Sequence, residues 1–279
     1  MTEIIEKDTA AEHLDSLTIG GLPGWGIEHG LDILEVITSR QSPFPCTFAV
    51  QAARNDGLRF GFVDDLYDES TWDQMRSVLS DYLTMYKSLG RETSLLMFFA
   101  SDRPDDTMDG YYATFWRILQ YLHDGDDVEW PASVALDTDD KMWEFTFEGT
   151  PMFVVCCTPT HVTRRSRFSP AFLITFQPQW VFEFIGADTR TGQLARKVIR
   201  KRLVAFDGGM EPSPVLGAYG DSRYREWQQY FLPDTDDDPA RDPNAGGCPF
   251  LHRSRSQPAL GSVPAVGAEH PLTVESAAT

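Results

Sequence analysis

Apolar positions along the chain follow two rhythms. From Ser70 to Ser88, Trp72, Met75, Val78, Leu79, Tyr82 and Tyr86 recur every three or four residues, the spacing that lines one face of an α-helix. Ser70 or Thr71 stands ready to cap its start. Met108 to His123 repeats the pattern with Phe115, Ile118, Leu119 and Leu122 inward. A third helix spans about Gly192 to Leu203, with Val198, Ile199 and Leu203 as its apolar side, and a fourth spans Ser222 to Phe231. Between them lie short apolar runs that read as strands: Ser94 to Ala100, Trp143 to Phe147, Met152 to Cys157 and the AFLITF segment at 171–176.

Punctuation between these runs completes the plan. GGLPGWG at 20–26 reads as a loop, and FPCTFAVQAARNDGLRFGFVDD reads as two strands of a hairpin turning at Asn55-Asp56-Gly57. Strands mixed with helices at irregular intervals predict an α+β (mixed α/β) fold, a single domain with a central mixed sheet flanked by helices. The expected divisions are a polar, acidic segment 1–18, a folded domain 19–250, and a mobile tail 251–279 rich in Ser, Pro, Gly and Ala.

Charge narrows the function. With 24 Lys and Arg against 42 Asp and Glu, the 279-residue chain carries a formal −18, which argues against a nucleic-acid binder. No basic leader precedes an apolar stretch and no apolar run approaches a membrane span, so the expectation is a soluble, cytoplasmic protein without membrane contact. Four cysteines, Cys46, Cys156, Cys157 and Cys248, lack CxxC spacing and read as reduced thiols. HExxH, GxSxG, GxGxxG and P-loop patterns do not occur, which removes the common zincin, hydrolase and nucleotide-binding readings.

The unusual segment is His161-Val162-Thr163-Arg164-Arg165-Ser166-Arg167, an imidazole and three guanidiniums directly after a strand. Neutral imidazole ligates transition metals, and arginines form paired bonds to carboxylates. The alternative is a solvated basic loop that pairs with the chain's many acids. A second basic run, Arg196 to Leu203, reads as an exposed helix face. Cys46 and Cys248 each sit beside aromatics and could ligate iron or serve as small buried hydrophobes. His123, at a helix end, is a further candidate ligand. Glu144, Glu183 and Trp180 combine carboxylates with an aromatic face suited to a cation. Against that, the period of Trp143, Phe145 and Phe147 turns Glu144 to the opposite side of its strand.

Several long stretches carry a family likeness: FPCTFA (44–49), WRILQYLHDGDDVEWP (116–131), WEFTFEGTPMFVVCCTPTHVTRRSR (143–167), ITFQPQWVFE (174–183), YGD with EWQQYFLPD (219–234) and CPF (248–250). Over about residues 40 to 250 the chain resembles the YqcI/YcgG family. Some members of that family are haem-dependent oxygenases that hydroxylate guanidine nitrogens, and others have no assigned activity. The resemblance implies a haem-dependent monooxygenase that converts L-arginine, or a related guanidine, to its N-hydroxy form in antibiotic or other secondary metabolism. It also implies haem b in a pocket enclosed by sheet and helices. His161 is then the first choice for the axial ligand, with Cys46 and His123 as alternatives, Arg164, Arg165 and Arg167 as propionate partners, and Glu144, Glu183 and Trp180 as the substrate site. Oxygen or peroxide and an external electron donor complete the scheme, and a homo-oligomer stays open. Two other readings remain: a non-catalytic haem sensor or carrier, and a cofactor-free protein whose basic loop docks an acidic partner.

Overall fold

In a computed structural model of the chain, residues 2–101, 107–183, 189–217, 221, 223–236 and 247–252 are described. Among them five strands form one sheet, β1 (Leu58–Val63), β2 (Ser94–Phe99), β3 (Phe145–Phe147), β4 (Thr150–Cys157) and β5 (Phe172–Pro178), in the order β1-β2-β5-β4-β3. β1 and β2 run parallel and every other pair is antiparallel, so the expected α+β fold with a central mixed sheet flanked by helices is the architecture observed. The helices are α1 (Thr2–Ser16), α2 (Gly26–Thr38), α3 (Thr47–Arg54), α4 (Trp72–Met85), α5 (Met108–Asp124) and α6 (Arg190–Phe206).

Parallel neighbours need a crossover, and α4 supplies it between β1 and β2. Its apolar stripe, Trp72, Met75, Val78, Leu79 and Tyr82, is wholly buried as the periodicity required. α5 starts at Thr107, whose hydroxyl accepts from Gly110 N at 3.1 Å, and buries Phe115, Ile118, Leu119 and Leu122 on the same side of the sheet. Strand alternation then divides the apolar residues between two faces. Leu95, Met97, Phe99, Ile174, Phe176, Met152 and Val154 meet α4 and α5. Leu58, Phe60, Phe62, Leu96, Phe98 and Leu173 meet the other layer, with Leu14, Leu17, Ile37 and Ala52 from the N-terminal helices and loop. The adjacent cysteines separate accordingly, Cys156 into the first core and Cys157 toward the second.

Three expectations are corrected. The first strand of the proposed 44–63 hairpin is helix α3, because Cys46 caps it and its alanines favour helix over strand. Asn55-Asp56-Gly57 ends that helix instead of turning a hairpin: Gly57 N donates to Ala52 O at 2.8 Å, and Asp56 adopts φ 52°. A side chain at Gly57 would stand 2.3 Å from the Glu92 carbonyl oxygen. The acidic start is not merely polar, since Leu14 of α1 and Leu17 just after it are buried, and Ile19 N donates to Phe60 O at 2.8 Å along the edge of β1. The helix expected over 222–231 is a short 3-10 turn, Glu226–Gln229, and its proposed start at Ser222 lies outside the described residues. Helix propagation stops there because the carbonyls of Tyr230, Leu232 and Pro233 are taken by β4 and the basic segment. The tail beyond 252 also lies outside the described residues. Of the described residues, no helix is long and apolar enough to cross a membrane.

Candidate functional site

The sheet face turned toward α2, α3 and α6 is incompletely filled. Met152, Val154 and Cys156 of β4 are fully buried on one side, whereas Phe153, Val155 and Cys157 on the other are half-buried. These three, with Leu173, Thr175 and Gln177 of β5, floor a cavity of about 260 Å³. Ile33 and Ile37 of α2, Cys46 and Ala49 at the start of α3, and Ile199 and Leu203 of α6 roof it. The register pairs Cys157 with Leu173, Val155 with Thr175, and Phe153 with Gln177. Four residues of strand separate the first row from the last, about 13 Å. Arg164, Ser166, Arg167 and Asp207 line the cavity with Cys157, and Arg167 is close enough to hold the Cys157 thiol down against burial, which pushes it up to about 11. At the Gln177 row, Gln177 Nε2 donates to Ser94 Oγ at 2.7 Å.

Cys46 occupies the position where a helix usually carries Ser, Thr, Asp or Asn. Its Sγ accepts from Ala49 N at 3.4 Å, and burial raises its pKa above the ordinary thiol value. The basic segment follows β4 and folds back over residues 229–236. Arg164 donates from Nε to Pro233 O and from Nη2 to Asp236 Oδ1, both at 2.8 Å. Arg167 donates from Nη1 to Tyr230 O at 3.2 Å and from Nη2 to Gln229 O at 3.1 Å. Asp234 accepts from the Thr163 and Arg164 amides, and Asp207 accepts from the amide and hydroxyl of Ser166. Two stretches that carry the family likeness, HVTRRSR and EWQQYFLPD, are thus halves of one clamp, and Arg164 and Arg167 present their remaining surface to the cavity. Arg165 turns away, with its guanidinium 5.3 Å over the Phe206 ring.

His161 has no exposed surface. Its Nε2 lies 2.9 Å from Leu232 O, and a carbonyl only accepts, so that nitrogen carries the hydrogen; Nδ1 faces the Thr158 hydroxyl at 2.8 Å. Burial, chiefly, lowers its pKa to about 4 and keeps it neutral. As placed, both ring nitrogens are engaged within the clamp; His161 is not among the residues that line this cavity, and instead lines a second one, of about 670 Å³, with Arg165 and Phe206.

The remaining sequence-predicted residues stand elsewhere. Glu144 is buried on the side of its strand opposite Trp143 and Phe145. It lies beside Tyr230, and so does Glu226; both acids raise the Tyr230 pKa. Phe153, which floors the cavity, packs edge-on against the Tyr230 ring at 5.5 Å. Trp180 packs edge-on against Tyr86 at 5.9 Å, and Glu183 is exposed at the end of the following 3-10 turn. His123 packs with Trp130, Phe250 and His252, which places CPF on the α5 side of the sheet, away from the cavity. Glu226, Cys157, Asp207 and Gln177 were not singled out from sequence. For Glu226 a signal existed, since it opens EWQQYFLPD; for Cys157 and Gln177 strand alternation gives a face but no cavity, and Asp207, at the end of α6, carries no sequence signal of its own.

Fold and site together define a class: a three-layer α+β protein with a cavity carrying thiols and guanidiniums between its sheet and its helices. The model of the YqcI/YcgG family matches residues 33–251. The chain belongs to that family. It is similar to "Uncharacterized protein YqcI" of Bacillus subtilis (strain 168), 35% identical over 90% of this chain and 95% of the relative, and to "Uncharacterized protein YcgG" of the same strain, 36% identical over 79% and 85%. It is also similar to "Putative N(omega)-hydroxy-L-arginine synthase DcsA" of Streptomyces lavendulae, 30% identical over 90% of this chain and 94% of the relative. No solved structure matches.

Proposed function

We propose that this protein is a haem-dependent monooxygenase that hydroxylates a guanidine nitrogen of L-arginine. The observation that carries the reading is the similarity to "Putative N(omega)-hydroxy-L-arginine synthase DcsA" across nine-tenths of both chains, and the donor set of the cavity is chemically suited to the cofactor. Cys46 would ligate the iron, since it brings a thiol into the same cavity as two guanidiniums. His161 fits that role less well, because ligation would cost its hydrogen bond to Leu232. Arg164 and Arg167 would pair with the propionates while their other N–H groups stay on the 229–236 segment. Bound haem supplies the oxygen-activating redox chemistry that acid–base side chains lack, and a protonated guanidinium, a poor nucleophile, requires it.

The chain's own residues do the rest. Apolar cavity walls of Ile33, Ile37, Val155 and Leu203 exclude water from the reacting nitrogen. Glu144 and Glu226, buried beside Tyr230, would supply the negative charge that a guanidinium neutralises, a better match than exposed Glu183. The decisive experiment is an absorption titration of haem-supplemented protein with L-arginine. A stoichiometric Soret band that shifts with arginine, is retained in His161→Ala and is lost or displaced in Cys46→Ala supports the reading. A band indifferent to arginine replaces the hydroxylase with a haem carrier or sensor, and no band from folded protein overturns the haem assignment.

A further inference from the structure

α6 is anomalous in this chain. Its residues Arg190 to Phe206 carry six cations and no acid, within a protein of net charge −18. Its inner side holds buried Gly192 and Phe206, with Ile199 and Leu203 over the cavity. The outer side is a single stripe at three- and four-residue spacing: Arg190, Leu194, Lys197, Val198, Lys201 and Ala205, all exposed. The expectation that Val198 would join Ile199 on the apolar side is corrected here, since Val198 is 43% exposed and Leu194 57%. Among the described residues Arg190, Lys197 and Lys201 take part in no ion pair. An exposed apolar pair flanked by unpaired cations offers an acidic protein surface both electrostatic attraction and an apolar contact.

We propose that this stripe is the docking surface for a small acidic electron-transfer protein. The inference rests on the hydroxylase reading, and charge complementarity selects the occupant. The field of the remaining surface repels an acidic protein, so the α6 stripe is where such a partner is attracted and oriented. The chemistry requires one. Hydroxylation inserts one atom of dioxygen into an N–H bond as N–OH and releases the other as water, consuming two protons and two electrons. The electrons come from a reduced iron–sulfur or flavin protein, which is oxidised, and this chain has no nucleotide-binding fingerprint of its own. Because Ile199 and Leu203 on the reverse of α6 line the cavity, a donor on the outer stripe is separated from it by one helix, about 10 Å.

The test compares the haem-loaded protein with Lys197→Glu/Lys201→Glu, substitutions that point away from core and cavity. Binding of a plant-type 2Fe–2S ferredoxin and of a flavodoxin is measured by fluorescence anisotropy at low and high ionic strength. Turnover of arginine is measured with a reduced donor and, separately, with peroxide. Binding to wild type that weakens steeply with salt, with affinity and donor-driven turnover about tenfold lower in the double variant and peroxide-driven turnover unchanged, supports the proposal; the arm that binds tells iron–sulfur from flavin donor. Equal binding by both proteins overturns it. So does no binding by wild type, as does a wild type that instead self-associates through, or adsorbs to anionic vesicles by, the same lysines. Salt-dependent ferredoxin binding without turnover by either route overturns the hydroxylase reading while leaving the docking face intact.

Discussion

Glu226 offers the sharpest test of how this fold handles charge. The residue is 7% exposed, its hydrogen bond from Gln229 Nε2 is long at 3.4 Å, and among the described residues it has no ion pair. Burial therefore pushes its pKa from 4.5 up to about 7. The native carboxyl holds its proton where the unfolded one has lost it, so stability declines as pH rises from about 4.5 to 7 and is level above. At about 1.4 kcal/mol per tenfold of proton affinity, the charge costs roughly 3 kcal/mol at pH 8. Glu226→Gln keeps the size and the acceptor oxygen and removes the charge. We expect the variant to be more stable than wild type by about 2–3 kcal/mol at pH 8, with the gain vanishing near pH 4.5. Urea unfolding at a series of pH values measures it directly. A variant of equal or lower stability at pH 8 refutes the reasoning and shows that the native carboxylate is compensated. If Glu226 also faces the guanidinium, L-arginine will raise the melting temperature of wild type and fail to do so in the variant.

His161 and His252 run the opposite way. Burial lowers both to about 4, so unfolded chains take up protons below pH 6.5 that the native state refuses. Stability is therefore lost as pH falls from about 6.5 to 4, by roughly 3 kcal/mol for His161, and the slope is expected to steepen in Glu226→Gln. Arg167→Ala removes two bonds to the Tyr230 and Gln229 carbonyls and is expected to cost about 2–4 kcal/mol, with faster amide exchange at Cys156, whose N–H is held by Tyr230 O at 2.9 Å. Gly57→Ala drives a methyl group against the Glu92 carbonyl and is expected to lower stability by about 2–3 kcal/mol with haem binding intact once folded; a neutral effect in urea unfolding would contradict the close approach.

Where burial alone decides structure, this sequence is explicit. The stripe of α4 and the runs of β2, β4 and β5 are apolar at the period of their elements, and no tertiary information was needed to place them. Local signals failed where one pattern has two solutions. Asn55-Asp56-Gly57 is a turn in either a hairpin or a helix end, and the choice rests on β1 pairing with distant β2. Residues 226–231 have helical spacing, but β4 and the arginines compete for their carbonyls.

The candidate site divides along the same line. Residue types and order determine by themselves that imidazole, thiol and guanidinium groups exist in an acidic chain, that the imidazole and the guanidiniums follow a strand, and which family the chain resembles. Which of them share a volume is a matter of tertiary structure. Cys46 and Arg164 are separated by more than a hundred residues, yet the sheet order β2-β5-β4 and the cover of α3 and α6 bring them to one cavity. The same packing commits His161 to Leu232 and sets Glu226 beside Glu144. Side-chain chemistry is local and can be read along a chain, whereas burial, hydrogen-bond partners and shifted pKa values arise from contacts between distant segments.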